Sequence, residues 1–377
     1  MLELPKGSLI SYMSSKVKSG GGINLAQGLP GYNPPFELLE CLKKATDKAV
    51  HQYPPGTGNF RLADHIAQSY ENELNINRND VLLTNGATEA LSLIFLYFTQ
   101  FLKQEFSVLA FDPAYESYSR LPQHFGVKYI AMELDEMNSV DFECFEKTVR
   151  ENNVKLIFLS SPGNPFGKMF SKDEIDRICE LSERLDFYVV FDAVYKELYT
   201  NLPPYQGFKH FGKRYIYVNS FSKLLSITGW RIGYLIADES HMSAIRSMHD
   251  YTGLCVPSVL QEALIDYLEE YNGGKEYIVW LRNQLIASFS FFIPELTKIG
   301  FEIPPIEGGY FIWTKLPSKY SCGFEFAEEL YKNEKVAVVP GIHFSKNAQQ
   351  YVRINVARPM TELQSGAKAL EKFVLSL

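Results

Sequence analysis

Seven short runs rich in β-branched and aromatic residues recur along the first two-thirds of the chain, at residues 81–83, 108–111, 128–132, 156–159, 188–191, 215–218 and 232–236. Most are separated by enough residues for a crossover helix, too many for tight hairpins, so the pattern predicts a mainly parallel seven-stranded sheet covered by helices. From about residue 275 the pattern changes. A long helical stretch over 275–299 leads into strands expected at 310–314, 336–339 and 351–356, with helices between them.

This predicts an α/β chain in two parts. A large domain is expected over 45–280, and a smaller α+β domain is expected from 1–44 together with 281–377. The N-terminal segment, Gly/Pro-rich around Gly-Leu-Pro-Gly-Tyr-Asn-Pro-Pro at 28–35, is expected to return and pack on the C-terminal part. A length of 377 residues, 46% of them hydrophobic, supplies enough apolar material for two cores and excludes disorder as the main state.

A formal net charge of −7 argues against a broad phosphate-backbone footprint, and so against nucleic acid or an anionic membrane as partner. The five cysteines, Cys41, Cys144, Cys179, Cys255 and Cys322, are widely spaced, with no CxxC pair and no metal-ligand spacing. That usage fits a reducing, cytoplasmic setting. The first 22 residues lack the apolar core of a leader peptide, and the richest apolar run, 91–98, is too short to span a bilayer.

In open α/β sheets ligands bind beyond the carboxyl ends of the strands, so the residues just after each run carry the chemical information. After 215–218 comes Ser220-Phe-Ser222-Lys223, followed by Thr-Gly-Trp-Arg231. A lysine there can serve as a Schiff-base amine while hydroxyls and a guanidinium hold a phosphate; an ordinary surface lysine beside a turn fits as well. The run at 188–191 ends in Asp192-Ala-Val-Tyr195. A carboxylate at a buried strand end needs a cation, such as a protonated pyridine nitrogen, or caps the next helix. Asn164, in Ser-Pro-Gly-Asn-Pro, could donate its amide to a phenolate oxygen or simply make a turn. Thr84-Asn-Gly86-Ala87-Thr88-Glu opens a helix whose N-terminal amides can bind phosphate, or is a plain cap.

Together these pieces resemble the aminotransferase class I/II family, the fold-type-I enzymes of the aspartate aminotransferase superfamily that use pyridoxal 5′-phosphate. The resemblance covers nearly the whole chain: LAQGLPGY, YPPGTG, TNGATEAL, FDPAYESY, SPGNPFGK, FDAVY, SFSKLLSITGWRIGY, EGGYF and YVRINVA occur in the family's order. It implies that Lys223 bonds the cofactor, that Asp192 partners the pyridine nitrogen, and that Asn164 and Tyr195 hydrogen-bond the phenolic oxygen. Ser220, Ser222 and Arg231, with Gly86, Ala87 and Thr88, match the phosphate cup, and Tyr115 matches the aromatic that stacks on the ring. The resemblance further implies cis bonds before Pro113 and Pro165. Arg353 stands at the position that binds the substrate α-carboxylate, with Gly28 closing over it. Tyr53 resembles the tyrosine that reaches the neighbouring subunit's phosphate, which implies a homodimer with shared sites.

The implied reaction is transamination between an amino acid and a 2-oxo acid. The stretch 251–264, where one subgroup of dicarboxylate enzymes carries an arginine for the distal carboxylate, has none, and Leu29-Pro-Gly-Tyr32 offers apolar surface. Neutral donors are therefore expected: methionine, aromatic amino acids, glutamine or kynurenine. Aspartate remains an alternative if another cation serves, and a pyridoxal-phosphate C–S β-lyase shares many of the same motifs. A sensor fused to a DNA-binding head is not expected, because GLPGY already begins at residue 28.

Overall fold

A computed structural model describes residues 4–376. Met1, Leu2 and Glu3, the start of the segment read above as lacking a leader's core, lie outside the described residues. The first strand, β1 (Ile23–Asn24), follows the helix Leu9–Gly20. Seven strands then build the main sheet: β2 (Val81–Thr84), β3 (Ser107–Asp112), β4 (Lys128–Glu133), β5 (Val154–Ser160), β6 (Tyr188–Asp192), β7 (Tyr215–Ser220) and β8 (Gly233–Ile236).

Their order is β2-β8-β7-β6-β5-β3-β4. Only β8 runs against its neighbours, β2 and β7; the other pairings are parallel. The inner strands are hydrophobic on both faces because helices cover both, and Ile157, Val189, Val190 and Ile216 are fully buried. The edge strand β4 instead exposes Lys128 and Glu133, charges that blunt an open edge. Because β2 and the inner parallel strands run the same way, Thr84, Asp112, Ser160, Asp192 and Ser220 all end at one edge of the sheet.

A second apolar cluster joins Leu9, Met13, Leu25 and Ala26 to residues of the C-terminal third, among them Leu281, Phe292, Phe311 and Leu370. There β9 (Phe311–Lys315), β11 (Val339–Pro340) and β12 (Tyr351–Asn355) form an antiparallel sheet with β12 central. The N-terminal segment does return: β1 pairs in parallel with β10 (Val336–Ala337), and the Asn355 side-chain amide donates to the carbonyls of Gln27, at 2.6 Å, and Leu29, at 2.8 Å.

The strand expected over 336–339 is two. Its first half pairs with β1 and its second with β12, so the chain changes partners at Val338. Among the described residues, no helix is long and apolar enough to cross a membrane. All five cysteines are free thiols.

Candidate active site

The strand ends border a cavity of about 240 Å3. Lys223, Asp192, Tyr195, Asn164, Tyr115, Ser220, Ser222, Ala87, Thr88, Arg231, Gly28 and Arg353 all line it. Gly86 does not line it but precedes Ala87, which does. Tyr53 lies elsewhere, its ring 83% exposed.

The lysine is presented by a short helix, Phe221–Leu224, capped by the Ser220 hydroxyl, which accepts from the Ser222 N–H at 3.0 Å. Lys223 Nζ donates to the Gly28 carbonyl at 2.6 Å. Burial, and then the nearby Arg353 and Arg231, lower its pKa to about 8, with Asp192 pulling the other way. Part of its surface opens to the cavity, yet few groups solvate its charge, so far more of it is neutral near neutral pH than of an ordinary lysine.

Asp192 is buried at the end of β6. Its Oδ2 accepts from the Tyr118 hydroxyl at 2.7 Å and its Oδ1 from the Val194 N–H at 3.2 Å. Burial pushes its carboxyl up, against those hydrogen bonds and the charge of Lys223. It makes no salt bridge among the described residues, so a buried carboxylate here suits a cation from a ligand.

The anion cup is built at β2, β7 and β8, where Thr84 and Ser220 both face Gly233 across the sheet. Gly86, at φ 80°, begins the helix Ala87–Phe101 and offers no side-chain cap, which leaves first-turn N–H groups for an external anion. Glycine is favoured there by its positive φ, and a Cβ would also press on Arg231, 2.4 Å from Nη2. Gly233 is equally constrained, since its Cβ would meet the Gly86 carbonyl carbon at 2.6 Å. Arg231 is held by the carbonyls of Thr228 and Asn85, each at 3.1 Å. Ser220 Oγ lies 2.8 Å from Ser222 Oγ.

Across the cavity, Arg353 projects from the centre of β12 and is fully buried. Nη1 donates to Asn164 Oδ1 at 2.9 Å and Nη2 to the Ala26 carbonyl at 2.7 Å. Its guanidinium carbon sits 4.0 Å from the Phe311 ring centre, and Nε has no partner. Desolvation lowers its pKa to about 10. A buried guanidinium without a protein carboxylate suits a planar anion from outside. Tyr195 packs edge-on against Tyr310, and burial pushes its phenol well up, so it stays protonated and can donate.

These features fit pyridoxal 5′-phosphate with an amino acid: an amine for its aldehyde, a buried carboxylate for its ring nitrogen, a cup for its phosphate and a cation for the substrate carboxylate. The bonds before Pro113 and Pro165 are cis, as expected, and so is that before Pro162. Sequence reasoning missed Tyr118, Glu116 and Ile10, which also line the cavity. Tyr118 was legible in principle, one helical turn beyond Tyr115 in FDPAYESY. Ile10 was not, because it arrives from the N-terminal helix.

Comparison with known proteins agrees with this geometry. Residues 21–370 match the family model "Aminotransferase class I and II". The chain is 28% identical to a probable N-acetyl-LL-diaminopimelate aminotransferase of Bacillus subtilis, over 94% of this chain and 89% of that protein. It is 29% identical to a probable aspartate aminotransferase of Methanocaldococcus jannaschii, over 91% and 90%. The aspartate aminotransferase of Thermus thermophilus with maleate shares the fold at a TM-score of 0.90 and 23% identity, covering 100% of both chains. The match runs through both ends of the sheet and both walls of the cavity, and the chain therefore belongs to the aminotransferase class I and II family of pyridoxal 5′-phosphate-dependent transaminases.

Proposed function

We propose that the amino donor is a neutral L-amino acid, of the methionine, aromatic, glutamine or kynurenine kind, and that the acceptor is a 2-oxo acid. The proposal extends to a cytoplasmic homodimer with shared sites, and to a small domain made of residues 1–44 and 281–377. The observation that carries the donor class is the charge inventory of the cavity. Its cations are Lys223, Arg231 and Arg353; with each assigned below, none among the described lining residues remains for a distal carboxylate.

Pyridoxal 5′-phosphate, when bound, supplies an electron-withdrawing ring next to the substrate's Cα. Asp192, held by Tyr118, keeps a proton on the ring nitrogen. Lys223 Nζ would hold the cofactor through its aldehyde carbon and, when released, would take the proton from the substrate Cα and deliver it to that cofactor carbon, a task suited to an amine whose pKa is lowered to about 8. Asn164 and Tyr195 orient the phenolic oxygen, and Tyr115 packs against the ring. Ser220, Ser222, Arg231 and the turn Gly86-Ala87-Thr88 bind the phosphate, joined by Tyr53 from the partner. Arg353 fixes the α-carboxylate in a fork, with Gly28 closing over it.

Aspartate is the competing donor, because several relatives bear that name, including aspartate aminotransferases of Thermotoga maritima and Bacillus subtilis. A stopped reaction with methionine, phenylalanine, aspartate and cystathionine as separate donors decides. A keto acid with the donor's skeleton intact, formed fastest from methionine or phenylalanine, is the expected result. Aspartate as best donor overturns the donor class, and pyruvate plus ammonia from cystathionine alone makes the chain a C–S lyase.

A further inference from the structure

The geometry points to Glu116 as the residue that excludes donors with a distal carboxylate, by placing a fixed carboxylate on the substrate side of the cavity. This deepens the donor class proposed above and rests on it. Glu116 follows Tyr115 and opens the helix Glu116–His124. It lines the cavity together with Ile10, Asn164 and Arg353. Asp192, the other carboxylate in that wall, is buried and bonded to Tyr118, so Glu116 is the acidic lining group left over once Asp192 is assigned to the ring nitrogen.

Its surroundings hold the carboxylate in place. Oε1 accepts from the Ser8 hydroxyl at 3.1 Å, and Oε2 lies 2.9 Å from His343 Nε2. The Leu9 N–H donates to His343 Nδ1 at 3.4 Å, which leaves Nε2 as the ring nitrogen turned to Glu116. Burial works against the Glu116 charge, but the contacts from His343 and Ser8 and the field of Arg353 prevail and hold its carboxyl below the usual range. The carboxylate is thus ionised and fixed in direction by Ser8 and His343. A substrate whose α-carboxylate occupies Arg353 would bring its second carboxylate up to Glu116, whereas an apolar, amide or cationic side chain meets no such repulsion. Like charges juxtaposed in a desolvated site are strongly disfavoured.

The residue also joins the N-terminal helix to the cavity wall, and a purely structural role would affect every donor alike. The discriminating quantity is therefore the ratio of kcat/KM for aspartate to that for methionine, measured on holoenzyme for wild type, Glu116→Gln and Glu116→Asp. Glu116→Gln should raise the ratio by about tenfold or more, and Glu116→Asp, which keeps the charge, should return it towards wild type. An unchanged ratio with both donors equally impaired overturns the role. A second measurement needs no variant: inhibition of the wild-type enzyme by succinate and by butanoate, substrate analogues that differ in the distal carboxylate. Butanoate binding more tightly than succinate is expected, and tighter succinate overturns the inference. If aspartate proves the best wild-type donor while Glu116→Gln still raises the ratio, the donor class fails and the role of Glu116 stands.

Discussion

Arg353 Nη1 donates to Asn164 Oδ1 at 2.9 Å, and this bond ties the central strand of the small sheet to the loop after β5. One group is placed for a substrate carboxylate and the other for a cofactor oxygen, so the two binding events share a hydrogen bond. Replacing Arg353 by Lys keeps the charge but loses the planar fork. All donors should weaken together, by roughly 1.5–3 kcal/mol, the range for hydrogen bonds to charged groups. Steady-state kcat/KM over several donors checks this; a loss confined to one donor would show that Arg353 reads the side chain instead.

The Tyr118–Asp192 hydrogen bond gives a second handle. Asp192→Ala should retain cofactor but lose on the order of 100- to 1,000-fold in kcat, the usual effect of removing a preorganised charge from the reacting centre. Tyr118→Phe should fall between this variant and wild type, because the Val194 N–H remains on the carboxylate. A Tyr118→Phe enzyme with unaltered kcat would mean that Asp192 needs no such support.

The depressed pKa of Lys223 makes a prediction with a definite sign. Its neutral fraction grows as pH rises through about 8, so cofactor capture by the cofactor-free protein should quicken with pH and level off above that value. Arg353→Met removes a positive neighbour and should move the curve to higher pH. A wild-type rate still climbing towards 10.5, the ordinary lysine value, would contradict the environment described for this amine.

Tyr53 is 83% exposed, and the proposed homodimer would carry it to the partner's phosphate cup. Mixing Tyr53→Phe chains with Lys223→Ala chains should give heterodimers in which one site carries both lesions and the other neither. Activity regained on mixing supports shared sites. No gain, with each site dependent on its own chain alone, opposes them.

Much of this was legible from local pattern. The seven main strands follow from runs of β-branched and aromatic residues, and the residues after them fall where open sheets bind ligands. Three features were not. The reversed direction of β8 depends on pairing with β2, which residue spacing alone does not specify. The split at Val338 depends on two different partner strands. The Glu116–His343–Ser8 contact unites three segments far apart in sequence, and none carries a motif that announces the meeting. Local chemistry marks single residues, whereas such contacts exist only after the chain returns on itself.

The most direct measurement is borohydride reduction of the holoenzyme, followed by proteolysis and mapping of the pyridoxyl group. The expected label is on the peptide that contains Lys223, with none in Lys223→Ala. A label on any other lysine would contradict the assignment of the cavity.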